Sequence, residues 1–195
     1  MKKLLFLIMW ISTSVFADGA YALYDYEQHE YQVSFNTHEV RPIASITKLF
    51  TAVTVLRSGV ELTEKVRVKG KSSGRFPNGM WVTRHDLMRA MMISSDNRAA
   101  ETLANTYPGG FDKFIKDTNE YIKGRGLMRT SIEEPTGLSK NNVSTAIELI
   151  SFIGAVKDNE ALRSYADEKT ADILIPRGKK QIHIKLHNTN PSILS

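Results

Sequence analysis

The stretch Ala44-Ser45-Ile46-Thr47-Lys48-Leu49-Phe50-Thr51-Ala52-Val53-Thr54-Val55-Leu56 sets one lysine inside a run that otherwise reads as a buried helix. Ile46, Leu49, Phe50, Val53 and Leu56 fall on one helical face, and Ala52 and Val55 make the other side apolar too, the pattern of a helix inside a core. Burying an ammonium without a partner costs several kcal/mol, comparable to the stability margin of a domain, so such a lysine sheds its proton or finds a specific neighbour. Ser45 lies one turn nearer the N-terminus on the same face, where helical N–H groups lack intrahelical partners. A desolvated lysine of lowered pKa is a base for a serine hydroxyl near neutral pH. Ser-x-x-Lys nevertheless arises by chance about once in a chain of this size, and an N-cap serine before a lysine that snorkels to solvent reads the same way. The rest of the chain has to separate the two.

On the N-terminal side, Met1 to Ala17 has the form of a secretory signal. Lys2 and Lys3 precede the apolar run Leu4 to Ile11, and Val15-Phe16-Ala17 ends it with small residues one and three positions before a cut. The run is too short to span a bilayer, so a cleaved leader is expected in preference to an anchor, and export to the periplasm follows. The division expected is a signal peptide over 1–17 and one domain over 18–195, enough chain for one domain or two small lobes. There is no cysteine, so neither disulfides nor thiolate metal sites are available, and no cofactor is expected. His183 and His187 stand four apart, but in an alternating segment where that spacing marks one strand face and a surface feature. The net charge of +5 falls to +3 without Lys2 and Lys3, and the basic residues are scattered, which argues against a nucleic-acid partner.

The remaining elements follow from pattern. Ala20–Asp25 and Glu30–Phe35 read as a hairpin, and Lys65–Lys69 as a short strand. Residues 71–79 form a loop. Thr83 with Asp86 and Thr145 with Glu148 are capping boxes opening helices, the first with Leu87, Met88, Met91 and Met92 inward, the second with Leu149, Ile150, Ile153 and Val156. The polar cluster Ser94-Ser95-Asp96-Asn97 breaks the first of these before a helix over Arg98–Thr106, and so caps a helix, lines a cleft, or does both. A helix carrying Phe111, Phe114, Ile115, Thr118 and Ile122, a turn at Glu134–Leu138, a short helix at Glu160–Tyr165 and the run His183–Leu186 complete the map.

Taken in order, Ala44-Ser45-Ile46-Thr47-Lys48-Leu49, Ser94-Ser95-Asp96-Asn97-Arg98-Ala99-Ala100, Tyr107-Pro108-Gly109-Gly110-Phe111, Glu134-Pro135-Thr136-Gly137-Leu138-Ser139 and Asn142-Val143-Ser144-Thr145-Ala146 resemble the low-molecular-mass penicillin-binding proteins, in particular their D-alanyl-D-alanine endopeptidase branch. The resemblance implies an α+β fold, a helical lobe with an antiparallel sheet. It implies that Ser45 attacks a D-alanyl carbonyl of a peptidoglycan stem or cross-link peptide, that Lys48 is its base, that Ser95 passes the proton toward the leaving amine, and that Asn97 orients Lys48 and binds the substrate backbone. The Ser45 N–H would form half of an oxyanion hole, and β-lactams would acylate the same serine.

The third family motif, Lys-Thr-Gly on a core strand, is absent before Ser195; Arg57-Ser58-Gly59 fits it by letter but stands before Ser95, in the wrong place. The resemblance therefore implies a C-terminally shortened form lacking sheet strands, with impaired turnover, low solubility and a central helix that exposes one apolar face. Two function classes follow: a serine D,D-peptidase, and a non-catalytic envelope protein binding peptidoglycan or a partner hydrolase. A class A β-lactamase fits less well, because no Glu-x-x-Leu-Asn stretch supplies a deacylating carboxylate.

Overall fold

The computed structural model describes residues 19–177 and 180–190, so the leader expected over 1–17 lies outside the described residues. The chain is α+β. Among the described residues a set of helices encloses one core, and four two-stranded antiparallel sheets sit around it. Strands β1 (Tyr21–Asp25) and β2 (Glu30–Phe35) form the expected hairpin, with a register shift between Leu23 and Tyr24. Strand β3 (Arg41–Pro42) leads into a 3₁₀ turn at Ala44–Ile46 and then helix α1 (Thr47–Arg57). Strands β4 (Lys65–Arg67) and β5 (Trp81–Thr83) pair across the loop, the second unforeseen because a three-residue strand leaves almost no periodic signal. Helices α2 (Arg84–Ser94), α3 (Asn97–Asn105) and α4 (Gly110–Gly124) follow. Strand β6 (Val143–Ser144) returns to pair with β3. Helices α5 (Ala146–Val156) and α6 (Glu160–Ala166) and the hairpin β7 (Thr170–Arg177) and β8 (Lys180–His187) come last.

Helix α1 is the axis of the core, packing against α2, α3, α4 and α6. Phe50 stacks on Phe152 with ring centroids 3.9 Å apart, and Thr54 and Thr118 join α1 to α4 by a hydroxyl hydrogen bond of 3.0 Å. The expectation of an exposed apolar face on the central helix is therefore corrected. Phe50, Ala52, Val53 and Val55 are buried, and only Ile46, in the 3₁₀ turn before the helix, is exposed. Uncovered apolar side chains stand elsewhere, among them Leu23 and Val33, which face each other in register on the outer hairpin, and Ile153 of α5, exposed while Phe152 takes the buried position.

Both expected N-caps form, Thr83 accepting from the Asp86 N–H and Thr145 from the Glu148 N–H. The reciprocal half of a capping box does not form among the described residues: Asp86 accepts from the Thr83 hydroxyl, and Glu148 from the Arg129 N–H and the Thr130 hydroxyl. Strand β7 is not among the expected elements; Ala171, Ile173 and Ile175 alternate inward, and Pro176 stands on its exposed side, where a strand tolerates it. With Ile184 and Leu186 of β8 they cover α2, and the chain after β8 closes on the same helix where the Thr189 N–H donates to the Ile93 carbonyl.

Candidate active site

The N-terminal end of α1, the α2–α3 junction and the loop 133–139 meet at Ser45. The serine sits in the 3₁₀ turn, after Ala44 held at φ 44° in the left-handed region. That backbone is pressed by Gly137, itself at φ 89°: a Cβ there would stand 1.9 Å from the Ala44 carbonyl oxygen. Only glycine permits both this φ and this approach.

Lys48 is buried, 3% exposed, so it does not snorkel. Its Nζ donates to the Thr136 carbonyl at 2.6 Å and lies 3.3 Å from Ser45 Oγ. Burial pushes its pKa below the ordinary lysine value, and the Glu134 and Asp96 carboxylates oppose that push. Ser95 is the left-handed cap of α2, at φ 54°, and its Oγ donates to Ser45 Oγ at 3.1 Å. Asp96 caps α3 by accepting from the Ala99 N–H, and its second oxygen takes the Arg75 N–H at 2.6 Å, tying the 71–79 loop to the junction. The Ser94–Asn97 cluster thus both caps a helix and lines the site.

Three of the four expected site residues, Ser45, Lys48 and Ser95, come together. Asn97 is adjacent, as the first residue of α3, yet among the described residues no hydrogen bond joins it to Lys48. The orienting contact is made by the Thr136 carbonyl. That carbonyl is fixed by Glu134, which sequence reasoning passed over as part of a turn. Its carboxylate accepts from the Thr136 N–H (2.7 Å) and hydroxyl (2.6 Å), the Gly137 N–H (2.6 Å) and the Asn142 amide (2.8 Å). Burial alone would raise the Glu134 pKa, but the hydrogen bonds from Thr136, Ser139 and Gly137 outweigh it and hold the carboxyl below its ordinary value. Asn142 also reaches the Thr47 hydroxyl at 3.1 Å, bracing the loop against the start of α1.

A buried amine of lowered pKa beside a hydroxyl that accepts from a second hydroxyl is an arrangement able to carry a proton away from Ser45 and on to another atom. Arg57-Ser58-Gly59 lies at the opposite end of α1, beside a cavity of about 680 Å³ that includes Tyr107 and Tyr121 and is remote from this chemistry. His183 and His187 stand on the exposed side of β8, and among the described residues no cluster of three or more metal-ligating side chains is present.

The family model described as D-alanyl-D-alanine carboxypeptidase matches residues 12–194. Over 149 residues the chain is 40% identical to an Escherichia coli protein named D-alanyl-D-alanine endopeptidase, covering 72% of this chain and 48% of that one. A Pseudomonas aeruginosa protein of the same name is 37% identical over 163 residues, with 79% and 53% covered. The chain thus spans about half the length of these curated relatives. The fold matches penicillin-binding protein D2 of Listeria monocytogenes, solved in an ampicillin-bound form, with a TM-score of 0.76 and 26% identity over 90% of this chain and 73% of that one. With the Ser45–Lys48 pair at the head of the buried helix and the family model running over most of its length, the chain belongs to the D-alanyl-D-alanine carboxypeptidase family.

Proposed function

We propose that this chain carries the acylating centre of a serine D,D-peptidase acting on peptidoglycan stem or cross-link peptides, and that β-lactams acylate the same serine. One observation carries the reading: Ser45 Oγ is within hydrogen-bond reach of both a buried lysine amine and the Ser95 hydroxyl. As Ser45 Oγ bonds to the D-alanyl carbonyl carbon, neutral Lys48 takes its proton. The tetrahedral oxyanion is met by the Ser45 N–H at the positive end of α1. The C–N bond then breaks, Ser95 Oγ hands a proton to the leaving amine, and Lys48 restores the proton to Ser95. Asn97 hydrogen-bonds the acyl chain. Water then hydrolyses the Ser45 ester and frees the serine.

The direct test is a fluorescent penicillin. A covalent adduct is expected on the peptide containing Ser45, absent in Ser45→Ala with an unchanged far-ultraviolet circular dichroism spectrum; an adduct that survives the substitution removes Ser45 from this role. Export to the periplasm belongs to the same proposal. Mass spectrometry of envelope-localised protein should find Asp18 as the N-terminus, and intact Met1 would refute cleavage.

A further inference from the structure

Asn142 is fully buried, 0% exposed, and every polar atom it has is in use. Its side-chain carbonyl accepts the N–H groups of Glu133 at 2.8 Å and Glu134 at 3.2 Å. Its side-chain NH2 faces three acceptors, the Glu134 carbonyl and carboxylate, each at 2.8 Å, and the Thr47 hydroxyl at 3.1 Å. On the backbone, its carbonyl takes the Ile43 N–H at 3.0 Å and its N–H donates to the Ser139 carbonyl at 3.3 Å. One residue is thus bonded to both ends of the loop 133–139, to the residue before the 3₁₀ turn that carries Ser45, and to the first residue of α1.

Helix α1 donates to two consecutive carbonyls of that loop, Lys48 Nζ to Thr136 at 2.6 Å and the Thr51 hydroxyl to Pro135 at 2.8 Å. On the reading given above Lys48 gains and loses a proton in each cycle, so the hydrogens it offers the loop change in number. The bonds made by Asn142 and Thr51 do not depend on the charge of Lys48. A buried amide with its hydrogen-bonding capacity filled is also costly to displace, because each lost partner leaves a desolvated polar group behind.

We propose, on the serine-peptidase reading given above, that Asn142 is a positioning residue for acylation: it fastens the loop 133–139 to the head of α1, so that the Thr136 carbonyl holds Lys48 Nζ beside Ser45 Oγ whatever charge the lysine carries. Among the described residues no hydrogen bond joins its side chain to Lys48 or Ser45, and it acts through Glu134, Thr47 and the loop they hold.

The test is Asn142→Ala in the full chain, read by NMR of ¹³C-labelled lysine and by penicillin acylation across pH. Burial is the largest cause of the depressed Lys48 pKa, and the carboxylates facing the amine, Glu134 from the loop and Asp96 from the α2–α3 junction, both remain in the variant. A loosened loop admits water, so the Lys48 pKa should rise toward 10.5, opposite in sign to the effect of removing the Glu134 charge. Acylation at neutral pH should drop about a hundredfold, the scale of a misplaced reacting group, and recover in part at alkaline pH, where Lys48 is again neutral. A residue that merely supports the fold would lower the labelled fraction at every pH and leave the lysine resonance of the folded protein in place. Thr47→Val removes one amide acceptor and keeps the side-chain shape; it should move the pKa the same way by less, and it is the deciding variant if Asn142→Ala does not fold. An unmoved or lowered Lys48 pKa, or undiminished acylation at neutral pH, overturns the positioning role. The NMR readout needs no reaction. A parent chain that penicillin does not label would therefore count against the serine-peptidase reading, whereas normal labelling with an unmoved lysine would overturn the role of Asn142 alone.

Discussion

Lys48 is held by opposed influences: burial lowers its pKa, while Glu134 and Asp96 act to raise it. On the proposed mechanism the neutral amine is the base, so acylation should rise with pH through that lowered pKa. Removing the Glu134 charge withdraws support from the ammonium, so in Glu134→Gln the Lys48 pKa should fall further and the acidic limb of the acylation profile should move to lower pH. NMR of ¹³C-labelled lysine, with Lys48→Arg to assign the resonance, reads this without any turnover; an unmoved or raised pKa would show that Glu134 acts on Lys48 only by shaping the loop. The same depression ties Lys48 to stability. Between its folded pKa and the ordinary value of 10.5 the unfolded chain binds more protons than the native one, so stability rises with pH across that window, and the cost of burying Lys48 is felt in full below it.

At the level of elements, the site is a meeting of ends: the 3₁₀ turn before α1, the left-handed cap of α2, and a loop with a glycine at its tip. Ala44 and Ser95 both hold left-handed φ angles that cost about 1–2 kcal/mol for non-glycine residues, strain concentrated on the neighbour of Ser45 and on its hydrogen-bond donor. Gly137 is the close contact that keeps the arrangement together. Gly137→Ala would set a methyl against the Ala44 carbonyl, so at least one backbone has to move. The expected outcome is a loss of about 1–3 kcal/mol in chemical denaturation together with a large fall in penicillin acylation. A variant with normal stability and normal acylation would show that the loop can retreat without moving Ser45.

Across the whole molecule, the core is closed around α1 while the outer hairpin remains open to solvent on one face. Leu23 is 60% and Val33 is 49% exposed, and they stand opposite each other in register, with Tyr21 stacked on Phe35 beside them. A contiguous apolar face of this kind promotes association. Leu23→Lys with Val33→Lys should therefore reduce concentration-dependent association in sedimentation velocity without lowering the thermal midpoint, and undiminished association would place the contact elsewhere. The sequence by itself determined the elements whose signals are local: the apolar run of α1, the threonine N-caps of α2 and α5, the aromatic hairpin, and Ser45 with Lys48 on one turn. It also carried the order of motifs that resembles the family, because each is a short contiguous stretch. Strand β7 is not among the elements read from the sequence, although Ala171, Ile173 and Ile175 alternate; which face turns inward is set by the way the hairpin lies on α2. Only the tertiary structure decided that Lys48 donates to the Thr136 carbonyl, with no hydrogen bond to Asn97 among the described residues, and that this carbonyl belongs to the loop Glu134 holds. The Glu134 contacts are local, but only the packing of the helices brings them to Lys48. The Lys48–Thr136 contact joins residues 88 apart in the chain, and a hydrogen bond across such a span is set by how the helices pack, which no local pattern of residues encodes.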